Sequence, residues 1–304
     1  MNPIDKEQSV ALIGAGAIGL SLASACAQQG RQVIVCGGHQ PIYHMTITEG
    51  DETRSWSVIH TDNPQDIMGI KTVILAVKAH QTSSAAQWIQ AAADSTTTIL
   101  VAQNGIEQRQ RVAPYAGDSA IVPAVVYLNV ERTRPGHAIM RRAGDHDLSV
   151  PNNPAGELIA DGLIGGGMRV RTEEDFSRTA WLKLLVNLTA NPLTALTGRR
   201  AEVICEPRIN ALAYLIMAEA QQVAQAEGVN LTPSDVDAEL DWLMHVPVGS
   251  TSSMRQDRLA GRPLEYDALT GAVVRAAEKH HIEVPINRMI LALLAAIRPG
   301  EQLQ

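Results

Sequence analysis

The stretch VALIGAGAIGLSLASACA, residues 10–27, decides how the rest of this chain is read. Its first four residues, Val10-Ala11-Leu12-Ile13, suit a short strand buried on both faces. They pass into Gly14-Ala15-Gly16-Ala17-Ile18-Gly19, after which residues 20–27 read as a helix closed by Gly30. The three glycines have separate tasks: a tight turn, backbone room for a pyrophosphate, and close packing of helix on strand. An anion placed there meets free N–H groups and the positive end of the helix dipole. Gly14, Ala15, Gly16, Ala17, Ile18 and Gly19 are therefore the expected contacts of a dinucleotide. The glycine spacing alone is weak evidence. A strand before it, and a helix and second strand after it, make it a specific sign.

Working outward, residues 32–36 (QVIVC) form that second strand. Its end should carry an acid for a ribose 2′-hydroxyl or an Arg for a 2′-phosphate. Gly37-Gly38-His39-Gln40 offers neither. Residues 46–48 and 54–60, around Gly50-Asp51, resemble an inserted hairpin. Residues 72–77 (TVILAV) are a buried strand that ends in Lys78 and leads to a helical stretch reaching residue 93. Residues 98–102 (TILVA) end in Gln103-Asn104-Gly105, a further strand covers 120–127, and shorter ones lie at 137–140 and 147–150. Lys78 and Asn104 thus sit at carboxyl ends of strands, where open α/β sheets bind ligands. A solvated loop lysine and an ordinary Asn-Gly turn are the plainer alternatives.

Beyond Arg171 the period becomes helical. Thr172-Glu173-Glu174-Asp175 reads as a capped helix start. WLKLLVNLTAN, residues 181–191, is apolar almost all round except for Lys183, Asn187 and Asn191 at i, i+4 and i+8. At about 100° per residue these three fall within an arc of roughly 80° and share one face. An ammonium and two amides on a buried helix need partners, since unpaired buried polar groups cost several kcal/mol. A protein network, a polar ligand or water on a half-exposed face would serve. Pro192 bends or ends this helix. Further helices are expected at 208–227, from Thr232 toward Met244, at 265–280 and at 285–297, with a polar helix start at 252–257. The expected fold is α/β: a Rossmann-type doubly wound parallel sheet over 1–172, followed by an all-α domain over 173–304.

Composition bounds the function. The 304 residues are 45% hydrophobic and 19% charged, with one Phe, so aliphatic side chains fill the cores. A net charge of −7 argues against nucleic acid and acidic membranes as partners. Residues 6–26 imitate a secretory signal, but the glycine spacing explains them better, and no segment has the ~20 apolar residues that span a bilayer. Cys26, Cys36 and Cys205 fit neither a metal pair nor a disulfide framework, so a cytoplasmic protein without a metal site is expected.

With these residues assembled, the chain resembles the ketopantoate reductase family over nearly its full length. The matching motifs are GAGAIG at 14–19, AVKAHQ at 76–81, QNG at 103–105, WLKLLVNLTANPLTAL at 181–196 and SSMRQD…LEYD at 252–267. The resemblance implies NAD(P)H-dependent reduction of a 2-keto acid, ketopantoate foremost, in the helical domain. It makes Lys183 the general acid that protonates the ketone oxygen. It places Asn104, Asn187, Asn191 and Ser253 on the substrate, and Glu265 on the substrate hydroxyl or the lysine. Lys78 and Asn104 fall near the cofactor. NADPH is implied over NADH, although Gly38 stands where the family usually has the Arg that grips the 2′-phosphate. An Asn frequent in the family near Ala201 is also missing here. A homodimer stays open, as do a 3-hydroxyacid- or opine-type dehydrogenase and a non-catalytic nucleotide sensor.

Overall fold

All five residues of strand β1 (Ser9–Ile13) are buried, and helix α1 (Ala17–Gln28) follows after the glycine turn. A computed structural model describes residues 5–142 and 144–300 of the chain, which splits into two units between Phe176 and Ser177. The outermost residues of the two expected domains, 1–4 and 301–304, lie outside the described residues.

In the first unit the chain continues through β2 (Gln32–Cys36), the hairpin β3 (His44–Glu49) and β4 (Glu52–Ser57), and β5 (Ile59–Thr61). Then come β6 (Thr72–Leu75), α2 (Ala86–Ala92), β7 (Thr98–Val101), α3 (Gln108–Ala116) and β8 (Ala120–Pro123). The unit closes with β9 (Val125–Val126), β10 (Asn129–Arg134), β11 (His137–Arg141), β12 (Leu148–Pro151), α4 (Pro154–Ile164) and β13 (Val170–Glu173). Six strands pair in parallel in the order β5-β2-β1-β6-β7-β8. Numbered within that sheet the order is 3-2-1-4-5-6, the doubly wound arrangement, and its direction reverses between β1 and β6. Alternate residues of β1 serve two cores. Val10 and Leu12 pack in a cluster with Leu20, Ala23 and Met45, whereas Ala11 and Ile13 join Trp88, Ile89 and Val112. Burial on both faces is why these strands read as continuous apolar runs.

Several expected elements are corrected. The strand expected over 54–60 splits: β4 turns back on β3, while β5 runs parallel to β2 in the main sheet. The strand expected over 120–127 also divides, at Pro123, which has no N–H to extend a ladder; Val125 and Val126 pair with β12 instead. Strand β10 and helix α4 were not anticipated. The start of α4 is legible in hindsight: Asn153 Oδ1 accepts from Gly156 N–H at 2.9 Å, and Pro154 takes the first helical position. Residues 172–173 are not a helix start. Thr172 and Glu173 pair with Val150 and Pro151, and Glu173 accepts from Ser149 Oγ at 2.8 Å.

The second unit is helical: α5 (Phe176–Thr197), α6 (Pro207–Ala226), α7 (Pro233–Met244), α8 (Ser253–Leu259), α9 (Ala272–Lys279) and α10 (Pro285–Ala295). Helix α5 runs through Pro192 rather than ending there. The helix expected over 265–280 opens with a π-helical turn, Asp267–Gly271, before α9. Glu219 of α6 caps α10, its carboxylate accepting from Ile286 N–H and Asn287 N–H at 2.9 Å each and from Asn287 Nδ2 at 2.8 Å. Among the described residues no helix is long and apolar enough to cross a membrane.

Candidate active site

In the first unit the expected ligand groups gather at the carboxyl ends of three neighbouring strands. Gly14 has φ +102°, and a Cβ added to it would lie 2.5 Å from the backbone N of Val77 and 2.6 Å from the backbone C of Ala76. The turn after β1 is therefore pressed against the end of β6, and only glycine fits. A Cβ on Gly19 would lie 2.1 Å from Gly14 O and 3.1 Å from Ala76 Cβ, so the third glycine serves helix–strand packing. Gly16 differs: a Cβ there meets nothing within 4 Å. No protein atom asks for glycine at that position, and the space a side chain would fill suits a close-packed ligand. Helix α1 has no side-chain cap and no acid in its first turn. Its N–H groups and dipole thus favour an anion, and the pyrophosphate of a dinucleotide fits.

Lys78 follows β6, its backbone N–H donating to Gln81 Oε1 at 3.2 Å. The loop after β7 is tied to the loop after β6 by Gln103, whose Nε2 donates to Val77 O at 3.0 Å and to Thr82 Oγ1 at 2.9 Å. Asn104, next in sequence, is half-buried. The structure thereby brings Gly14–Gly19, Lys78 and Asn104 to one edge of the sheet. After β2, Gly37 and Gly38 both have positive φ, and a Cβ on Gly37 would lie 3.3 Å from the Trp88 ring. Gly38, His39 and Gln40 are exposed there.

In the second unit Lys183, Asn187 and Asn191 lie along α5 at the expected spacing. Asn191 is 4% exposed, and Lys183 and Asn187 are half-buried. Burial pulls the Lys183 ammonium below the ordinary lysine pKa, and the nearby Glu239 carboxylate of α7 pushes it back up. Glu239 is itself pushed above the usual carboxylate range by burial, against the pull of Lys183. The far end of α5 is held by the segment around α8. Thr194 Oγ1 donates to Ala190 O at 2.6 Å and stands 2.6 Å from Ser252 Oγ. Since the threonine proton is used, the Ser252 hydroxyl is the donor in that pair, and it accepts from Arg255 N–H at 3.0 Å. Arg255 Nε donates to Gly198 O at 2.9 Å, and Arg258 Nη1 donates to Leu196 O at 3.2 Å and to Ala195 O. Two guanidiniums thus take carbonyls left over at a helix end.

This clamp fixes Ser253. It opens α8 as an exposed residue beside Ser252, whose partner Thr194 is three residues from Asn191. Glu265 is 6% exposed and lies just before the π turn. Sequence reasoning missed Gln103 as the tie between loops, Ser252 and Thr194 as the clamp, and Glu239 as the charge beside Lys183. A buried Gln at a strand end signalled the first. Glu239 carried no signal, because its role depends on which helix packs against α5.

A parallel sheet in this order with a glycine turn at its reversal point, in a chain that also carries a helical unit with a desolvated lysine, defines a dinucleotide-dependent oxidoreductase. Comparison with known proteins narrows the class. The family profile described as "Ketopantoate reductase PanE/ApbA" matches residues 10–153, and "Ketopantoate reductase PanE/ApbA C terminal" matches residues 175–298. A 2-dehydropantoate 2-reductase of Mycobacterium tuberculosis is 36% identical over 294 residues, covering 96% of this chain and 98% of the relative. Among solved structures, a PanE/ApbA family ketopantoate reductase from Ralstonia eutropha superposes with TM-score 0.85 at 28% identity, covering 95% of this chain and 98% of the other. A dimeric ketopantoate reductase from Staphylococcus aureus gives TM-score 0.83 at 25% identity, with 95% and 98% covered. The chain belongs to the ketopantoate reductase family, as its motifs implied.

Proposed function

We propose that this protein reduces ketopantoate to pantoate with NADPH, the first unit, which extends to Phe176 rather than ending at the expected residue 172, binding the dinucleotide and the helical second unit binding the substrate and catalysing. The observation that carries the reading is the polar face of α5 on which half-buried Lys183 lines up with Asn187 and buried Asn191, burial drawing the lysine below its ordinary pKa. Reduction of a ketone builds negative charge on its oxygen, which a buried ammonium neutralises and then protonates. Bound NADPH supplies the hydride. Asn187, Asn191 and Ser253 hydrogen-bond the substrate, and Glu265 accepts from its hydroxyl or holds the lysine. Asn104 and Lys78 serve the cofactor side, Asn104 contacting substrate as well. Gly14–Gly19 hold the pyrophosphate.

The 2′-phosphate would be met by Lys78, His39 or the backbone N–H groups at Gly37-Gly38, since the family's usual Arg is Gly38 here. Lys183 must be protonated to act in reduction, so the rate falls as pH rises through its lowered pKa, and the reverse oxidation rises over the same range. A homodimer is proposed on the Staphylococcus aureus relative described as dimeric. A cytoplasmic location is proposed on the three free thiols.

The test is turnover of ketopantoate and a panel of branched 2-keto acids with NADPH and with NADH. Ketopantoate reduction, faster with NADPH, is expected. No turnover of any keto acid with either cofactor overturns the proposal, and an amine-dependent rate would move the protein to the opine type.

A further inference from the structure

The end of β2 carries no charge of its own, but the neighbouring strand brings one beside it. Strand β5 runs parallel to β2 with Cys36 opposite Thr61, and Gly37 N–H extends the ladder to Thr61 O at 2.8 Å. Neighbouring strands lie about 4.8 Å apart, so Asp62 leaves the sheet beside Gly37-Gly38. Its carboxylate is 79% exposed, with Oδ1 3.3 Å from His60 Nε2. The turn that follows is fixed by its own hydrogen bonds. Asn63 N–H donates to Thr61 Oγ1 at 3.0 Å, and Asn63 Oδ1 accepts from Gln65 N–H at 3.2 Å. Asp66, the second carboxylate of the turn, accepts from Thr61 Oγ1 at 2.6 Å and from Asn63 Nδ2 at 3.1 Å. Among the described residues no lysine or arginine pairs with either carboxylate.

The end of the second sheet strand is where this fold tells its two dinucleotides apart, by an acid for a 2′-hydroxyl or a cation for a 2′-phosphate. Here β2 supplies neither, and β5 supplies an acid. NADPH and NADH differ at that place by a phosphate with nearly two negative charges. A carboxylate beside the same strand end repels the phosphate and leaves an uncharged hydroxyl almost unaffected. Such repulsion depends on distance and needs no contact. We infer that Asp62 is a specificity-determining residue, whose charge opposes the 2′-phosphate and holds down the preference for NADPH over NADH. This rests on the dinucleotide-binding role proposed above for the first unit. Lys78, His39 and the backbone N–H groups at Gly37-Gly38 pull the phosphate in, and Asp62 works against them. Asp66 adds to the same field, with its charge shared among two hydrogen-bond donors.

Dissociation constants of NADPH and NADH decide the matter, read from the fluorescence of the bound dinucleotide at pH 8 with no keto acid present. Asp62→Asn should tighten NADPH about fivefold at low salt and leave NADH within about twofold of the parent. Asp62→Lys should tighten NADPH further, and about 0.5 M NaCl should remove most of both gains. A loss of structure would weaken both dinucleotides and would not follow this order of charge. Asp118→Asn, at an exposed carboxylate just before β8 and so at the amino ends of the strands, should change neither constant. An NADPH constant that Asp62→Asn leaves in place, or NADPH and NADH constants that move together, overturns the inference while the reductase reading stands. Failure of the parent to bind either dinucleotide would overturn that reading and this inference with it.

Discussion

In the first unit the groups proposed to meet a ligand are mainly backbone N–H groups of the glycine turn and the start of α1, open because Cβ atoms are absent, with the Lys78 and Asn104 side chains beside them. In the second they are side chains along one face of a 22-residue helix. The two designs fail differently. Adding a single carbon disturbs the first by steric overlap, whether or not chemistry follows. Removing a functional group disturbs the second by chemistry while the helix keeps its apolar packing.

Substitution at the glycines is the sharpest way to break this contrast. Gly14→Ala forces both a positive φ and a Cβ 2.5 Å from backbone N of Val77. It should lower stability by about 3 kcal/mol or more and abolish dinucleotide binding, as read by thermal unfolding and cofactor titration. Gly16→Ala meets no protein atom. Its melting temperature should stay near that of the parent while dinucleotide affinity falls about tenfold. Equal losses of stability in the two variants would show that Gly16 serves packing rather than a ligand.

The clamp in the second unit should give a smaller effect. A double-mutant cycle of Thr194→Val with Ser252→Ala is expected to show about 1 kcal/mol of coupling in denaturant unfolding. Purely additive losses would mean the two hydroxyls do not act as a pair. Smallest of all is a difference in thiol reactivity. Burial pushes the Cys26 thiol up to about 11 and Cys36 higher still, whereas Cys205 is exposed. Iodoacetamide at pH 8 should label Cys205 in the native protein and reach Cys26 and Cys36 only after unfolding, as followed by mass spectrometry. Native labelling of Cys36 would show that the first unit opens around its strands.

The same contrast explains what could be read from the sequence. The apolar runs at 10–13, 72–77 and 98–102 announce strands buried on both faces, and the glycine spacing locates the turn at the sheet's reversal point. Edge elements were harder. Residues 54–61 carry no glycine where β4 passes to β5, so one continuous strand was the natural expectation. Thr172 and Glu173 look like a helix cap but find ladder partners in Val150 and Pro151. In the second unit a helical period shows Lys183, Asn187 and Asn191 on one face, because that is a property of α5 by itself. It cannot show Glu239 beside the lysine or Ser252 beside Thr194, because those depend on tertiary packing.

The most direct test is Lys183→Ala, with ketopantoate turnover and dinucleotide affinity measured on the same preparation. Turnover should fall by ~10²–10⁴-fold while dinucleotide affinity stays within about twofold of the parent, as removal of a general acid requires. Unchanged turnover would remove Lys183 from the chemistry and contradict the assignment on which the site is built.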